Sequence, residues 1–202
     1  MSTILYLEGG GSGPDSKELQ VRCREGFRKL LEKCSFTGRL PRLFACGGRD
    51  AVFGDFLTAH QTKVAGDYVA MWLDSEEPLT DLEAAWEHLK ARDGWLQPAA
   101  AEDEQVLFMT TCMETWIVAD RAALTEHYGS RLQESALPPL VELEQRGRHD
   151  IQDRLAHATR ECSNAYTKGK RSFDILADLT PATLDQHLPS FVRVYRILDE
   201  KL

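Results

Sequence analysis

Tyr68-Val69-Ala70-Met71-Trp72-Leu73 is an unbroken apolar run, closed by Asp74-Ser75-Glu76-Glu77-Pro78. A strand with one wet face alternates apolar and polar residues, whereas an unbroken run suits a strand buried on both faces, as in a parallel sheet covered by helices. Working outward, residues 3–7 form a second β-favouring run, ended by Glu8 and the cluster Gly9-Gly10-Gly11-Ser12-Gly13-Pro14. Arg42-Leu43-Phe44-Ala45-Cys46 is a third, stopped by Gly47-Gly48, and residues 105–111 are a fourth. Helical periodicity fills the gaps. Leu19, Cys23, Phe27, Leu30, Leu31 and Cys34 share one face of a helix starting at about residue 15 or 16, with Asp15 and Glu18 as its capped start. Val52, Phe53, Phe56, Leu57 and His60 are in phase over 50–60, Leu82, Trp86 and Leu89 over 80–91, and Trp116, Ile117, Ala119 and Leu124 over 112–127.

This alternation predicts an α/β domain over residues 1–130, a mostly parallel four-stranded sheet flanked by helices. Beyond Gly129 the pattern changes. Leu137-Pro138-Pro139-Leu140 marks a break, and residues 150–159, 172–179, 183–188 and 190–202 read as helices with no strand between them. Residues 131–202 are therefore expected to form a helical C-terminal lobe packed on the sheet.

The chain has 202 residues and a formal charge of −8, with 43% hydrophobic and 28% charged residues, which excludes a collagen-like, coiled-coil or disordered polymer. No apolar run approaches the ~20 residues of a membrane helix, so no membrane partner is expected. The first residues lack a basic segment followed by a long apolar one, so they read as a strand rather than a signal peptide. Five cysteines without a CxxC argue against a disulfide framework or a tetrahedral zinc site and for a reducing cytoplasm. The six histidines form no HxxxH or HExxH. A metal would then be held by carboxylates, which suits Mg²⁺ or Mn²⁺. The acidic balance argues against general coating of nucleic acid but leaves local patches open. Two are Lys168-Gly169-Lys170-Arg171 and the series Arg22, Arg24, Arg28, Lys29, Lys33.

Ligands of open α/β sheets sit at the carboxyl ends of the strands. Glu8, then Asp74 and Glu76, then Glu114 all stand at or just after predicted strand ends. Carboxylates crowded on one rim repel each other unless protonated or bridged by a cation. A divalent cation there can polarise a phosphoryl oxygen and activate water. The plain alternatives are that Glu8 complements a helix dipole, that Asp74 and Glu76 sit in a solvated loop, and that Glu114 favours a helix start. The backbone of Gly9 and Gly10 can cradle phosphate, but the loop is neither GxGxxG nor GxxxxGKS, so a dinucleotide or Walker-type site is not supported. Arg49, Lys168, Lys170 and Arg171 are candidates for phosphate contact, with Lys168 or Lys170 to neutralise developing charge. Their alternatives are a surface ion pair and a solvated basic turn. Trp86, Trp95 and Trp116 are expected in the core rather than as base-stacking platforms. Cys23, Cys34 and Cys46 are expected to be inert packing.

A strand-end Glu followed by Gly, then an acid-x-acid after an apolar strand, resembles the Toprim domain of topoisomerases, primases and nucleases. The segments Glu8-Gly9-Gly10-Gly11, Arg22-Cys23-Arg24-Glu25-Gly26-Phe27, Ala45-Cys46-Gly47-Gly48-Arg49, Asp74-Ser75-Glu76, His88-Leu89-Lys90-Ala91-Arg92-Asp93-Gly94-Trp95, Met113-Glu114-Thr115-Trp116-Ile117-Val118-Ala119-Asp120 and Tyr166-Thr167-Lys168-Gly169-Lys170 are similar to a bacterial Toprim-like family of unknown function (family 4276), over nearly the full chain. The resemblance implies a metal-dependent nuclease acting on DNA or RNA, the effector of a defence system against phage, working beside an ABC- or AAA-type ATPase. A homodimer is also open. It implies Glu8 as a metal-binding carboxylate or general acid/base and Asp74 and Glu76 as metal ligands, with Glu114 as an added acid and Asp15 as a further candidate. Glu76 departs from the Toprim pattern, which has Asp there; the extra methylene moves the carboxylate outward. Two other readings use the same residues: a catalytically silent Toprim-like binding or regulatory subunit of an ATPase complex, and a phosphatase or other phosphoryl-transfer enzyme.

Overall fold

A computed structural model describes residues 2–11, 13 and 16–202, with only the backbone of Lys170. Asp15 lies outside the described residues. The strands β1 (Thr3–Glu8), β2 (Arg42–Gly47), β3 (Tyr68–Asp74) and β4 (Val106–Met109) pair in the order β2-β1-β3-β4, all parallel. The apolar run is therefore an inner strand. Its alternate residues serve two cores. Val69, Met71 and Leu73 pack with Val52 and Phe56 of α2 (Arg49–Thr62) and Trp86 and Leu89 of α3 (Ala85–Asp93). Ala70 and Trp72 face α1 (Ser16–Leu31) and the C-terminal helices. Trp72 is buried with its ring centroid 4.7 Å from Phe27 and 5.9 Å from Trp116. An α/β domain with a four-stranded parallel sheet and a helical C-terminal region is what the sequence pattern predicted, and it is consistent with a Toprim-like fold.

The second core continues from the sheet into α6 (Arg148–Thr159), α7 (Lys170–Asp178), α8 (Pro181–His187) and α9 (Pro189–Lys201) through Ile151, Leu155, Ile175, Leu184 and Ile197. α7 lies against α1 at Gly26, where an added Cβ would come within 2.7 Å of the Phe173 carbonyl oxygen. Only a residue without a side chain permits that approach. Arg193, 4% exposed, ties α9 to the sheet by donating to the Val106 and Asp103 carbonyl oxygens at 2.8 and 2.9 Å. Among the described residues no helix is long and apolar enough to cross a membrane.

Two expected elements differ. The helix read over 80–91 starts only at Ala85. The Asp81 carboxylate accepts the Glu83 N–H at 2.8 Å, a local turn that competes with helix, and Asp103 accepts the Trp86 N–H at 2.8 Å. The helix read over 112–127 is two, α4 (Met113–Ala119) and α5 (Arg121–Tyr128). Asp120 separates them: one oxygen caps Ala123 N–H at 3.0 Å and the other accepts Thr180 N–H at 2.8 Å.

Candidate functional site at the strand ends

Adjacent parallel strands β1 and β3 end in Glu8 and Asp74. The side chain of Glu8 lies across to β3, where Oε2 accepts the Asp74 N–H at 3.2 Å. Asp74 Oδ1 accepts the Met113 N–H at 2.9 Å, at the first turn of α4. Burial pushes the Glu8 carboxyl above its ordinary range, opposed by Arg49, the Asp74 N–H and Lys168. Burial, then the charges of Glu8 and Glu114, push Asp74 well above the usual aspartate range; Lys168 and the Met113 N–H oppose the shift. Lys168, exposed in the turn before α7, is thus the cation felt by both carboxylates.

Glu114 stands behind this pair and is wholly buried. Its oxygens accept from the Tyr166 hydroxyl and from Gln152 Nε2, the latter at 3.1 Å, and the Tyr166 oxygen lies 2.9 Å from Ser172 Oγ. Glu114 therefore shapes the field at Asp74 from inside, without a face toward solvent.

Glu76 follows a different course. Its backbone takes φ +71°, and its N–H donates to the Thr111 carbonyl at 2.7 Å. Its carboxylate ion-pairs with Arg92 at 3.6 Å and with Arg148. Arg49 is a bridge rather than a free surface group. It holds both oxygens of Asp93 at 3.0 and 2.8 Å, donates to the Asp74 carbonyl oxygen at 2.5 Å, and reaches Glu8 at 3.4 Å. Its guanidinium lies 5.3 Å from the centre of Trp95, which stacks on Phe53 at 4.2 Å. An ion-pair chain thus runs Glu8–Arg49–Asp93–Arg92–Glu76–Arg148 across the rim.

The remaining candidates divide. Gly9 exchanges both backbone hydrogen bonds with Gly47 at 2.9 and 2.8 Å, so its N–H is committed to the fold rather than to phosphate. Gly10, φ +97°, lies against the backbone of Gln20, leaving no room for a Cβ. Arg171 donates to the Ala165 carbonyl oxygen at 3.0 Å. The Lys170 side chain lies outside the described residues. Trp86 and Trp116 are core, as expected, and Trp95 is partly exposed at the rim. Three residues of the basic series pair with acids, Arg22 with Glu18 and with Asp174 of α7, Arg28 with Glu32 and Lys29 with Glu25, and Lys33 donates to the Leu179 carbonyl oxygen at 3.3 Å. Cys23 and Cys34 are buried, and burial raises Cys46 to about 12. Arg92, Asp93, Arg148, Gln152 and Tyr166 carry site contacts that spacing alone did not single out; all but Arg148 and Gln152 stand in the segments quoted above for the family resemblance.

The chemistry of the Glu8 and Asp74 oxygens fits a hard divalent cation: two desolvated, mutually repelling carboxylates are what such an ion stabilises. Among the described residues no three His, Cys, Asp or Glu side chains are yet spaced to enclose one. A parallel α/β sheet with a carboxylate pair at its carboxyl edge defines the class. Within it, residues 21–199 match the family described as a domain of unknown function (DUF4276), and the chain belongs to that family. The matched stretch includes Asp74, Glu76, Glu114 and Lys168 and begins after Glu8. No curated protein and no solved structure matches the chain.

Proposed function

We propose that the protein is a divalent-metal-dependent nuclease that hydrolyses phosphodiester bonds of DNA or RNA. The observation that carries the reading is the juxtaposition of Glu8 and Asp74, where Glu8 Oε2 accepts the Asp74 N–H at 3.2 Å, both carboxyls raised by burial and Asp74 further by Glu8, with the exposed cation of Lys168 acting on both. Glu8 and Asp74 would hold Mg²⁺ or Mn²⁺, which supplies phosphoryl polarisation and a more acidic bound water. Lys168 offsets negative charge gathering on the phosphoryl oxygens. Glu114, hydrogen-bonded by Tyr166 beneath the site, raises Asp74 and so favours occupation of the pair by a cation. Arg49 fixes Glu8 against the Asp74 main chain, so the two carboxylates keep their spacing.

The resemblance to Toprim-like nucleases extends the proposal to an effector of phage defence, paired with an ABC- or AAA-type ATPase, in the cytoplasm, where five free thiols stay reduced. A second reading, a catalytically silent regulatory subunit of such a complex, draws on the ion pairs that occupy Glu76. Incubation with labelled DNA and RNA in Mg²⁺ or Mn²⁺, with and without the ATPase, separates them. Cleavage lost in Glu8→Gln and Asp74→Asn, both folded, supports the nuclease. Cleavage retained in both variants overturns this assignment of the site.

A further inference from the structure

Arg92 at the end of α3 and Arg148 at the start of α6 come from opposite sides of the rim to one carboxylate, Glu76. Both guanidinium groups keep surface, with side chains 25% and 34% exposed, whereas Glu76 keeps 12%. The two forks converge on a single oxygen of Glu76, Oε2. Guanidinium forks favour two acceptor oxygens each. Here the two forks share one glutamate oxygen, with Asp93 as a further acceptor for Arg92, while a tetrahedral phosphate offers several oxygens to both.

The frame around the pair is built. Glu76 N–H donates to Thr111 O at 2.7 Å, and Thr111 Oγ1 donates to Arg146 O at 3.1 Å, so the 146–148 segment is fastened beside the Glu76 loop. Arg146 Nε is buried without an acceptor, a third guanidinium donor on the same short segment. Asp93, which holds Arg92, is itself fixed by Arg49, and Arg49 reaches Glu8. The Arg pair is therefore connected to the carboxylate site by the ion-pair chain already described.

We infer that Arg92 and Arg148 form a phosphate clamp for a nucleic-acid backbone, and that Glu76 is its internal occupant, displaced when the phosphate arrives. The inference rests on the nuclease reading for the kind of ligand, but its test needs no cleavage. Binding of fluorescein-labelled DNA and RNA oligonucleotides is measured by anisotropy in EDTA, across a salt series, with inorganic phosphate and ATP as competitors. Arg148→Ala and Arg92→Ala should each weaken binding about tenfold and lower the slope of log K against log salt by about 1. Glu76→Gln should strengthen binding by a similar factor, because it removes the competing charge. A purely structural ion pair predicts the opposite for Glu76→Gln: unchanged or weaker binding. Arg148→Gln, with thermal melting, guards against a misfolded Arg148→Ala. Unaltered affinity in folded arginine variants, or no gain in Glu76→Gln, overturns the clamp. Competition by phosphate or ATP at concentrations matching the oligonucleotide's own phosphates assigns the site to small phosphates and overturns the nucleic-acid part. The clamp can stand while the nuclease reading falls: oligonucleotide binding with these variant effects, and no cleavage in Mn²⁺, is that result.

Discussion

Asp74 and Glu144 are two carboxylates that the fold takes out of water, and they are treated in opposite ways. Glu144 is 6% exposed and faces donors: the Ser190 N–H at 3.1 Å and the Ser190 hydroxyl, at the first turn of α9. Trp116 Nε1 donates to the same Ser190 oxygen at 3.1 Å, so the group clasps α9 to the core. Burial raises Glu144 to about 7, with the two Ser190 bonds opposing. Asp74 has one comparable bond, to Met113, and two like-charged neighbours, Glu8 and Glu114. A buried acid supplied with donors and no rival charge stabilises structure; one set among other acids stores repulsion that a bound cation removes. The difference separates a fastening from a site.

The sharpest way to break this comparison is to neutralise each acid. Asp74→Asn keeps an oxygen for the Met113 N–H but removes a repelling charge. Metal-dependent cleavage should fall by roughly 10²-fold or more, while Tm stays level or rises. Kinetics and calorimetric melting on one preparation check both; a matched loss of Tm would make Asp74 a second fastening.

Next in size is the pH dependence of stability. The folded-state value of Glu144, about 7, lies above the ordinary 4.5, so the folded protein binds the extra proton between them. Stability from this group is fully present below about 4.5 and is lost as pH rises through about 7, on the order of 3 kcal/mol. Glu8 and Asp74 add in the same direction. Urea unfolding at pH 5 and pH 8 should show the drop, and Glu144→Gln should flatten it.

Smaller again is Ser190→Ala, which strips Glu144 of the hydroxyl and Trp116 of its acceptor and should cost about 1–3 kcal/mol by chemical denaturation. Nuclease activity should follow only the folded fraction. Smallest is Glu25→Ala, which breaks the exposed pair with Lys29 at 3.3 Å and should move stability by less than about 0.5 kcal/mol. A larger effect would mean that the basic face of α1 does more than stay solvated.

The sheet was legible because its information is local. Six apolar residues in a row at 68–73 can hardly be anything but an inner strand, and Glu8 and Asp74 follow as strand ends. What escaped the sequence depends on distant partners. The break between α4 and α5 rests on Asp120 accepting from Thr180, sixty residues on, while the apolar periodicity runs straight through. Glu76 reads as one member of an acid-x-acid pair, yet its place is set by Arg148, far along the chain in a polar helix that carries no distinguishing pattern. Arg49 was visible as a strand-end cation, but two of its four bonds are to Asp93, at the end of α3 and 44 residues on. Glu114 was visible as an acid after a strand; its burial under Tyr166 and Gln152 comes from the packing of the C-terminal helices.

The most direct test is calorimetric titration of Mn²⁺ into the intact chain, its Asp74→Asn variant and its Glu8→Gln variant, at a pH above 7. Saturable binding by the parent chain, abolished in both variants with folding retained, is the expected result. Binding of equal strength in all three proteins, or none in the parent, would contradict the claim that these two strand-end acids share a cation.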